Sequence, residues 1–289
     1  MPFAINGDVR LYYETLGNAA DPAVLLLGGA GKQLIDFPDA FCDAIVARGF
    51  SVIRLDQRDT GLSTGFAERG SDAVGVAEAI ADGRTPDLPY TTADLAADVV
   101  AVLDAVGIAR AHLFGRSLGA YVAQAVALQS RERALSLTLV MTFSRAIGTS
   151  VPRARLEALD AERFADAAHF AERQVATARA IGNPAYFNEP AIRAAAIRAF
   201  DRGVPEGSIA RHFMLGLAAP DLRGVLGRLS MPVQIIHGAL DTIIPLTLAE
   251  ETAAAIPQAR LTVLDDMAHE GPPQLWDRWI DLLEANVRS

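Results

Sequence analysis

The sequence predicts an α/β protein: a mostly parallel central sheet with helices on both faces and one all-helical insertion. Three observations carry this. Short apolar runs bounded by turn residues alternate with helix-period segments over residues 23–141. From about 145 to 225 no strand candidate occurs, only helical segments rich in Ala and Arg. The alternation then resumes and runs to residue 287. The 289 residues, 51% hydrophobic and 21% charged, supply enough apolar material for one large domain of this kind. The expected division is a sheet core over 1–144 and 226–289, with residues 145–225 as a helical lid between two strands.

Each element has its own signal. Residues 2–6 and 9–15 read as paired strands around the turn Asn6-Gly7-Asp8. Ala23–Leu27 and Ser51–Leu55 are continuous apolar runs, as expected of strands buried on both faces. Between them, Phe37 to Arg48 has helical spacing closed by Gly49. The glycine- and proline-rich stretch 65–90 shows no element, and a helix follows over 93–106. Strands are expected at 111–114, 136–141, 233–236 and 260–264, with helices after residue 118, at 246–256 and at 273–287. Within the insertion, helices are expected near 154–180, 189–202 and 206–218. Gly182-Asn183-Pro184 and Gly203-Val204-Pro205 punctuate them, and these joints are where a lid would open.

Composition excludes several partners. A net charge of −9 argues against nucleic acid or an anionic membrane surface. No apolar run approaches the ~20 residues that span a bilayer. The N-terminal segment lacks the basic and apolar regions of a signal peptide, so a cytoplasmic location is the default expectation. A single cysteine, Cys42, excludes internal disulfides and cysteine-based metal clusters. No cofactor or metal is implied.

The chemistry centres on Gly115-Arg116-Ser117-Leu118-Gly119, a G-x-S-x-G pattern with a strand before it and a helix after it. Turning from strand to helix in so few residues strains the serine backbone and requires glycine where the two elements approach. The turn lifts the Ser117 hydroxyl clear of the sheet edge, and the Leu118 N–H, at the helix start, points where an oxyanion would form. Serine needs an adjacent base, and the base an orienting acid. Asp241, in His237-Gly238-Ala239-Leu240-Asp241, and His269, in Asp265-Asp266-Met267-Ala268-His269, both follow strands. They would therefore share one sheet edge with Ser117. Asp265 and Asp266 lie too close to His269 along the chain to be favoured over Asp241 as the acid.

These three loops, in the order Ser117…Asp241…His269, make the chain resemble an α/β-hydrolase over its full length. The segment 55–64, Leu-Asp-Gln-Arg-Asp-Thr-Gly-Leu-Ser-Thr, with Phe37-Pro38-Asp39 before it, resembles the aclacinomycin methylesterase branch. The resemblance implies a serine hydrolase acting on a small-molecule ester, including methyl esters of aromatic polyketides. It also implies a second oxyanion donor in the loop after the strand at 23–27. Family members carry His-Gly there. This chain has Gly28-Gly29, which puts the donor at the N–H of Ala30.

Other polar residues read as structural. His112 and His237 are expected to be hydrogen-bonded in place, while His169 and His212 would face substrate or solvent. Asp56, Arg58 and Asp59 read as an ion pair that braces their loop, and Arg116 as a brace for the sheet top. Phe164, Phe170, Tyr186, Phe187, Phe200, Phe213 and Met214 would suit an apolar or aromatic substrate group, though core packing is their ordinary use. The same residues would serve a thioesterase, a lactonase, a C–C bond hydrolase or a cofactor-free perhydrolase, or a receptor that keeps the pocket without catalysis. An acidic carrier protein fits the net charge poorly, and an epoxide hydrolase would have aspartate at position 117. Oligomeric state is not readable from the sequence.

Overall fold

In the computed structural model, which describes residues 2–147 and 151–289, the chain alternates as its hydrophobic pattern predicts. The strands β1 (Phe3–Asn6) and β2 (Val9–Leu16) form a hairpin, and β3 (Ala23–Leu27) follows. Helix α1 (Asp39–Val46) is shorter than the expected 37–48 because Pro38 holds an extended backbone at its N-cap. After β4 (Ser51–Leu55) comes α2 (Ala73–Ala81), a helix in the stretch where none was expected. The Asp72 carboxylate caps it by accepting from the Gly75 N–H. A first-turn glycine and a short, polar-flanked span hide this helix from periodicity.

Helix α3 (Thr92–Val106) opens on a capping box between Thr91 and Asp94 and closes on left-handed Gly107. It leads to β5 (Ala111–Arg116), α4 (Leu118–Gln129) and β6 (Ala134–Val140). Among the described residues, five α-helices follow before the sheet resumes: α5 (Arg153–Asp160), α6 (Ala167–Ile181), α7 (Glu189–Arg202), α8 (Ser208–Leu217) and α9 (Arg223–Leu226). The helix expected near 154–180 is two. The Asp166 carboxylate caps a new start by accepting from the His169 N–H. Residues 148–150 of the expected insertion lie outside the described residues. The chain ends with β7 (Val233–Gly238), α10 (Leu246–Ala255), β8 (Ala259–Leu264) and α11 (Pro273–Val287).

The eight strands form one sheet in the order β1-β2-β4-β3-β5-β6-β7-β8, antiparallel at β1–β2 and β2–β4 and parallel from β4 to β8. Side-chain alternation along β3 divides the core in two. Leu25 and Leu27 pack with Val99 and Val102 of α3, Val122 and Val126 of α4 and Leu248 of α10. Val24 and Leu26 pack on the opposite face with Phe41 and Ile45 of α1 and Trp279 and Leu283 of α11. The sheet is covered on both faces, which is why its central strands are apolar throughout. Among the described residues, no helix is long and apolar enough to cross a membrane.

Candidate active site

β5 ends at Arg116 and α4 begins at Leu118, which leaves Ser117 alone to make the turn. Its φ of 52° and ψ of −119° lie where side-chain-bearing residues rarely go, at a cost on the order of 1–3 kcal/mol. The Ser117 N–H holds the turn to the sheet by donating to the Val140 carbonyl at 2.9 Å. The flanking glycines are steric requirements. A Cβ on Gly115 would collide with the Gly119 carbonyl, and one on Gly119 with the carbonyls of Leu27 and Gly28. Helix, elbow and β3 thus touch through backbone.

The two other expected site residues converge on this serine. The loop after β8 brings His269 Nε2 to 3.2 Å from Ser117 Oγ. The loop after β7 brings Asp241 Oδ2 to 2.7 Å from His269 Nδ1. The other carboxylate oxygen, Oδ1, accepts from the N–H groups of Ile243 and Ile244, each at 2.8 Å. The Asp241 side chain is fully buried. Burial alone would raise its pKa, but the bond and charge of His269 and the two N–H groups hold it below the usual carboxylate range. Asp265 is exposed, and Asp266 bonds Arg278 through both carboxylate oxygens. Neither takes the place of Asp241.

The loop Gly28-Gly29-Ala30-Gly31 runs beside the serine, and a Cβ on Gly29 would lie 3.5 Å from Ser117 Cβ. Gln57 Nε2 donates to the Gly28 carbonyl at 2.9 Å, and Lys32 N–H to the Gly29 carbonyl at 3.1 Å. The N–H groups of Ala30 and Leu118 have no acceptor among the described residues. Two backbone donors are thus left unpaired in the segments that flank the serine.

Several expected roles change. Arg58 pairs with neither Asp56 nor Asp59. It bonds Asp98 of α3 at 2.6 and 2.8 Å. Asp59 instead holds the fully buried Arg211 of α8 at 2.6 and 2.9 Å and accepts from the Tyr90 hydroxyl, while Asp56 pairs with Arg202 of α7. The loop is braced, but by helices remote in sequence. His212 faces neither substrate nor solvent: it is fully buried, with Nδ1 accepting from the Gly31 N–H at 3.1 Å. His169 is exposed. His112 bonds Ser136 Oγ at 2.8 Å, and His237 bonds the Ile244 carbonyl at 2.8 Å. Arg116 pairs with Asp36 at 2.9 Å and lies over the rings of Phe37 and Trp279, a brace across the sheet top. Phe164, Phe170 and Phe200 pack on one another as core inside the insertion, and Met214 packs with Leu156 and with Val76 of α2, joining the insertion to that helix.

Residues that sequence reasoning passed over also meet the site. The histidine loop is tied to the end of α6: His269 N–H donates to the Ile181 carbonyl at 3.1 Å, and Asn183 N–H donates to Glu270 Oε1 at 2.7 Å. The signal available was Gly182-Asn183-Pro184, which marks a turn and not its partner.

Comparison with known proteins places the fold and the family. A family model for the alpha/beta hydrolase fold matches residues 22–273. The rhodomycin D methylesterase DnrP of Streptomyces peucetius is 30% identical over 98% of this chain and 97% of its own length. DauP, a rhodomycin D methylesterase of another Streptomyces strain, is 30% identical over 98% of this chain and 96% of its own. Among solved structures, the enol-lactonase of Burkholderia xenovorans superposes with a TM-score of 0.79 over all of both chains, at 23% identity, a likeness of fold. By family match, by full-length likeness to two methylesterases and by sheet topology, the chain belongs to the α/β-hydrolase family and is a hydrolase of its methylesterase-like branch.

Proposed function

We propose that this protein hydrolyses a small-molecule carboxylic ester through a Ser117 acyl-enzyme. The observation that carries the reading is the hydrogen-bonded chain from Asp241 through His269 to Ser117. His269 Nε2 takes the hydroxyl proton as Oγ attacks the ester carbonyl, and Asp241 stabilises the imidazolium through Nδ1. The oxyanion is received by the N–H groups of Leu118 and Ala30. Collapse breaks the bond to the alcohol oxygen, which leaves with the proton from His269. Water, deprotonated by the same imidazole, then releases the acid and restores Ser117.

Helices α5–α9 act as a lid over this edge and set the acyl specificity. The full-length likeness to rhodomycin D methylesterases supports a methyl ester of a polycyclic aromatic, polyketide-like acid as substrate. The test is an ester panel on the wild-type protein and Ser117→Ala. Expected are loss of turnover in the variant without loss of fold, and an aromatic polycyclic methyl ester favoured over methyl butyrate. One methylene contact discriminates by about 10–200-fold, so a dedicated aromatic site must exceed about 200-fold in kcat/KM. Unchanged turnover in Ser117→Ala overturns the mechanism. Preference for short aliphatic esters or thioesters overturns the substrate assignment alone.

A further inference from the structure

We propose that His212, on α8 of the insertion, is a positioning residue for the oxyanion loop, so that the inserted helices complete the catalytic machinery of the sheet. The inference rests on the reading of Ser117 as nucleophile and of Ala30 as an oxyanion donor.

The loop has little with which to hold itself. Gly28-Gly29-Ala30-Gly31 carries one methyl group, and Gly31 sits at φ +67°, in the left-handed region. Its two ends are fixed from outside. Gln57 holds the Gly28 carbonyl, and His212 Nδ1 holds the Gly31 N–H. The Gly31 N–H belongs to the peptide that sets ψ at Ala30, so this bond fixes the backbone next to the Ala30 N–H. Contact is close throughout, since a Cβ on Gly31 would meet Ile209 Cγ1 at 2.9 Å.

His212 is suited to the task by its own surroundings. Nε2 lies 2.9 Å from the Arg58 carbonyl, so it carries the proton and donates there. That leaves Nδ1 as a lone-pair acceptor for Gly31. Full burial lowers its pKa, which keeps the ring neutral and the acceptor available. The ring is itself immobilised, because the preceding Arg211 is bonded to Asp59, to the Gly70 carbonyl and to the Glu206 carbonyl. Tyr90 packs edge-on to the imidazole at 6.0 Å between centroids. A bland core histidine would satisfy any two nearby backbone groups. This one satisfies the single N–H next in the chain to an unpaired donor in the loop beside the serine.

Two variants of nearly equal polarity separate the roles. His212→Asn places a carbonyl oxygen near the Nδ1 position and keeps the Gly31 bond. His212→Gln places an amide nitrogen near the Nε2 position and keeps the Arg58 bond. With p-nitrophenyl acetate, the Gln variant should lose about 10²-fold in kcat, as for a displaced oxyanion donor, with KM within about threefold of wild type. The Asn variant should stay within about tenfold in kcat, whichever of the two melts lower. In the unmodified protein, the Gly31 amide proton should exchange slowly in an NMR hydrogen-exchange experiment. Wild-type kcat in the Gln variant, equal impairment of both variants, or random-coil exchange at Gly31 overturns the proposal. If the wild type itself hydrolyses no ester, or does so as well without Ser117, the underlying reading has failed instead.

Discussion

Replacing Asp241 by Asn tests the acid at this site, and the structure dictates which way the new amide points. Asp241 Oδ1 accepts two backbone N–H groups at 2.8 Å, from Ile243 and Ile244, while Oδ2 accepts from His269 at 2.7 Å. An asparagine has one accepting atom. Turning its NH2 toward the two backbone donors would leave both unpaired, at about 1–3 kcal/mol each. The carbonyl therefore faces Ile243 and Ile244, and the NH2 faces His269 Nδ1. A donor there forces the ring into the tautomer with its proton on Nε2, opposite Ser117 Oγ, where the mechanism needs a lone pair. The flip back costs about 2–6 kcal/mol in total, which at 1.36 kcal/mol per tenfold is about 30-fold to 3 × 10⁴-fold in rate. Loss of the carboxylate charge adds to this, so kcat should fall by roughly 10⁴-fold. The assay is p-nitrophenyl acetate turnover at pH 7.5 beside Asp266→Asn, with circular dichroism to establish folding. Asp266 bonds Arg278, so its variant should change kcat by less than about threefold. Activity of Asp241→Asn within tenfold of wild type, or a larger loss at Asp266, refutes the reasoning.

Two further perturbations test the surroundings of the site. Asp59→Ala strands the fully buried guanidinium of Arg211 and should cost about 3–5 kcal/mol in urea unfolding, and a loss under 1 kcal/mol would mean that the pair is dispensable. The buried His112 has its pKa pushed down by desolvation to about 4, below the ordinary value of 6.5. Because the folded pKa is the lower, the unfolded chain binds more protons between those values. Stability from this group is complete above about pH 6.5 and falls as pH drops toward 4, by about 3 kcal/mol at most. His112→Gln should therefore lose less stability than wild type between pH 7 and pH 4.5, and equal losses would show that His112 does not titrate this way.

The sheet and the residues gathered at Ser117 were legible because each is announced locally. Alternating apolar runs name the strands, and Gly115, Gly119, Asp241 and His269 each sit just past or at the end of one. What stayed hidden is pairing across distance. Arg58 with Asp98, Asp59 with Arg211 and Gly31 with His212 span 40, 152 and 181 residues. A charge beside a charge in sequence, as at Asp56-Gln57-Arg58-Asp59, suggests a local pair, but adjacent side chains in that loop diverge to partners on three helices. Helix α2 was hidden for another reason, since its stability comes from packing Ala73 and Val76 against Leu156 and Met214 of the insertion.

The expected joints of the insertion invert their reading once these distant pairs are known. Residues 182–184 do not swing free. A Cβ on Gly182 would collide with the Glu270 carboxylate, and Asn183 bonds Glu270 and the Asp266 carbonyl at 2.7 and 2.8 Å. At the other joint, the Gly203 carbonyl accepts from Gln33 Nε2 at 2.8 Å, and Pro205 packs on Gly65. Both are anchors, one on the histidine loop and one beside the oxyanion loop. Hinging the insertion at the first would break hydrogen bonds to the histidine loop, and at the second the bond from Gln33, at about 0.5–1.5 kcal/mol for each bond. α8 is held more firmly still, by the buried pair of Arg211 and Asp59. In the proposed lid, opening would therefore fall to α5 and the exposed outer turns of α6, while α8, the two joints and the end of α7, held by Arg202 to Asp56, stay with the sheet. If the proposed lid is real, one part of the insertion admits substrate and another holds the loops around Ser117 in register, and a change at 182–184 or 203–205 should lower kcat by disturbing those loops.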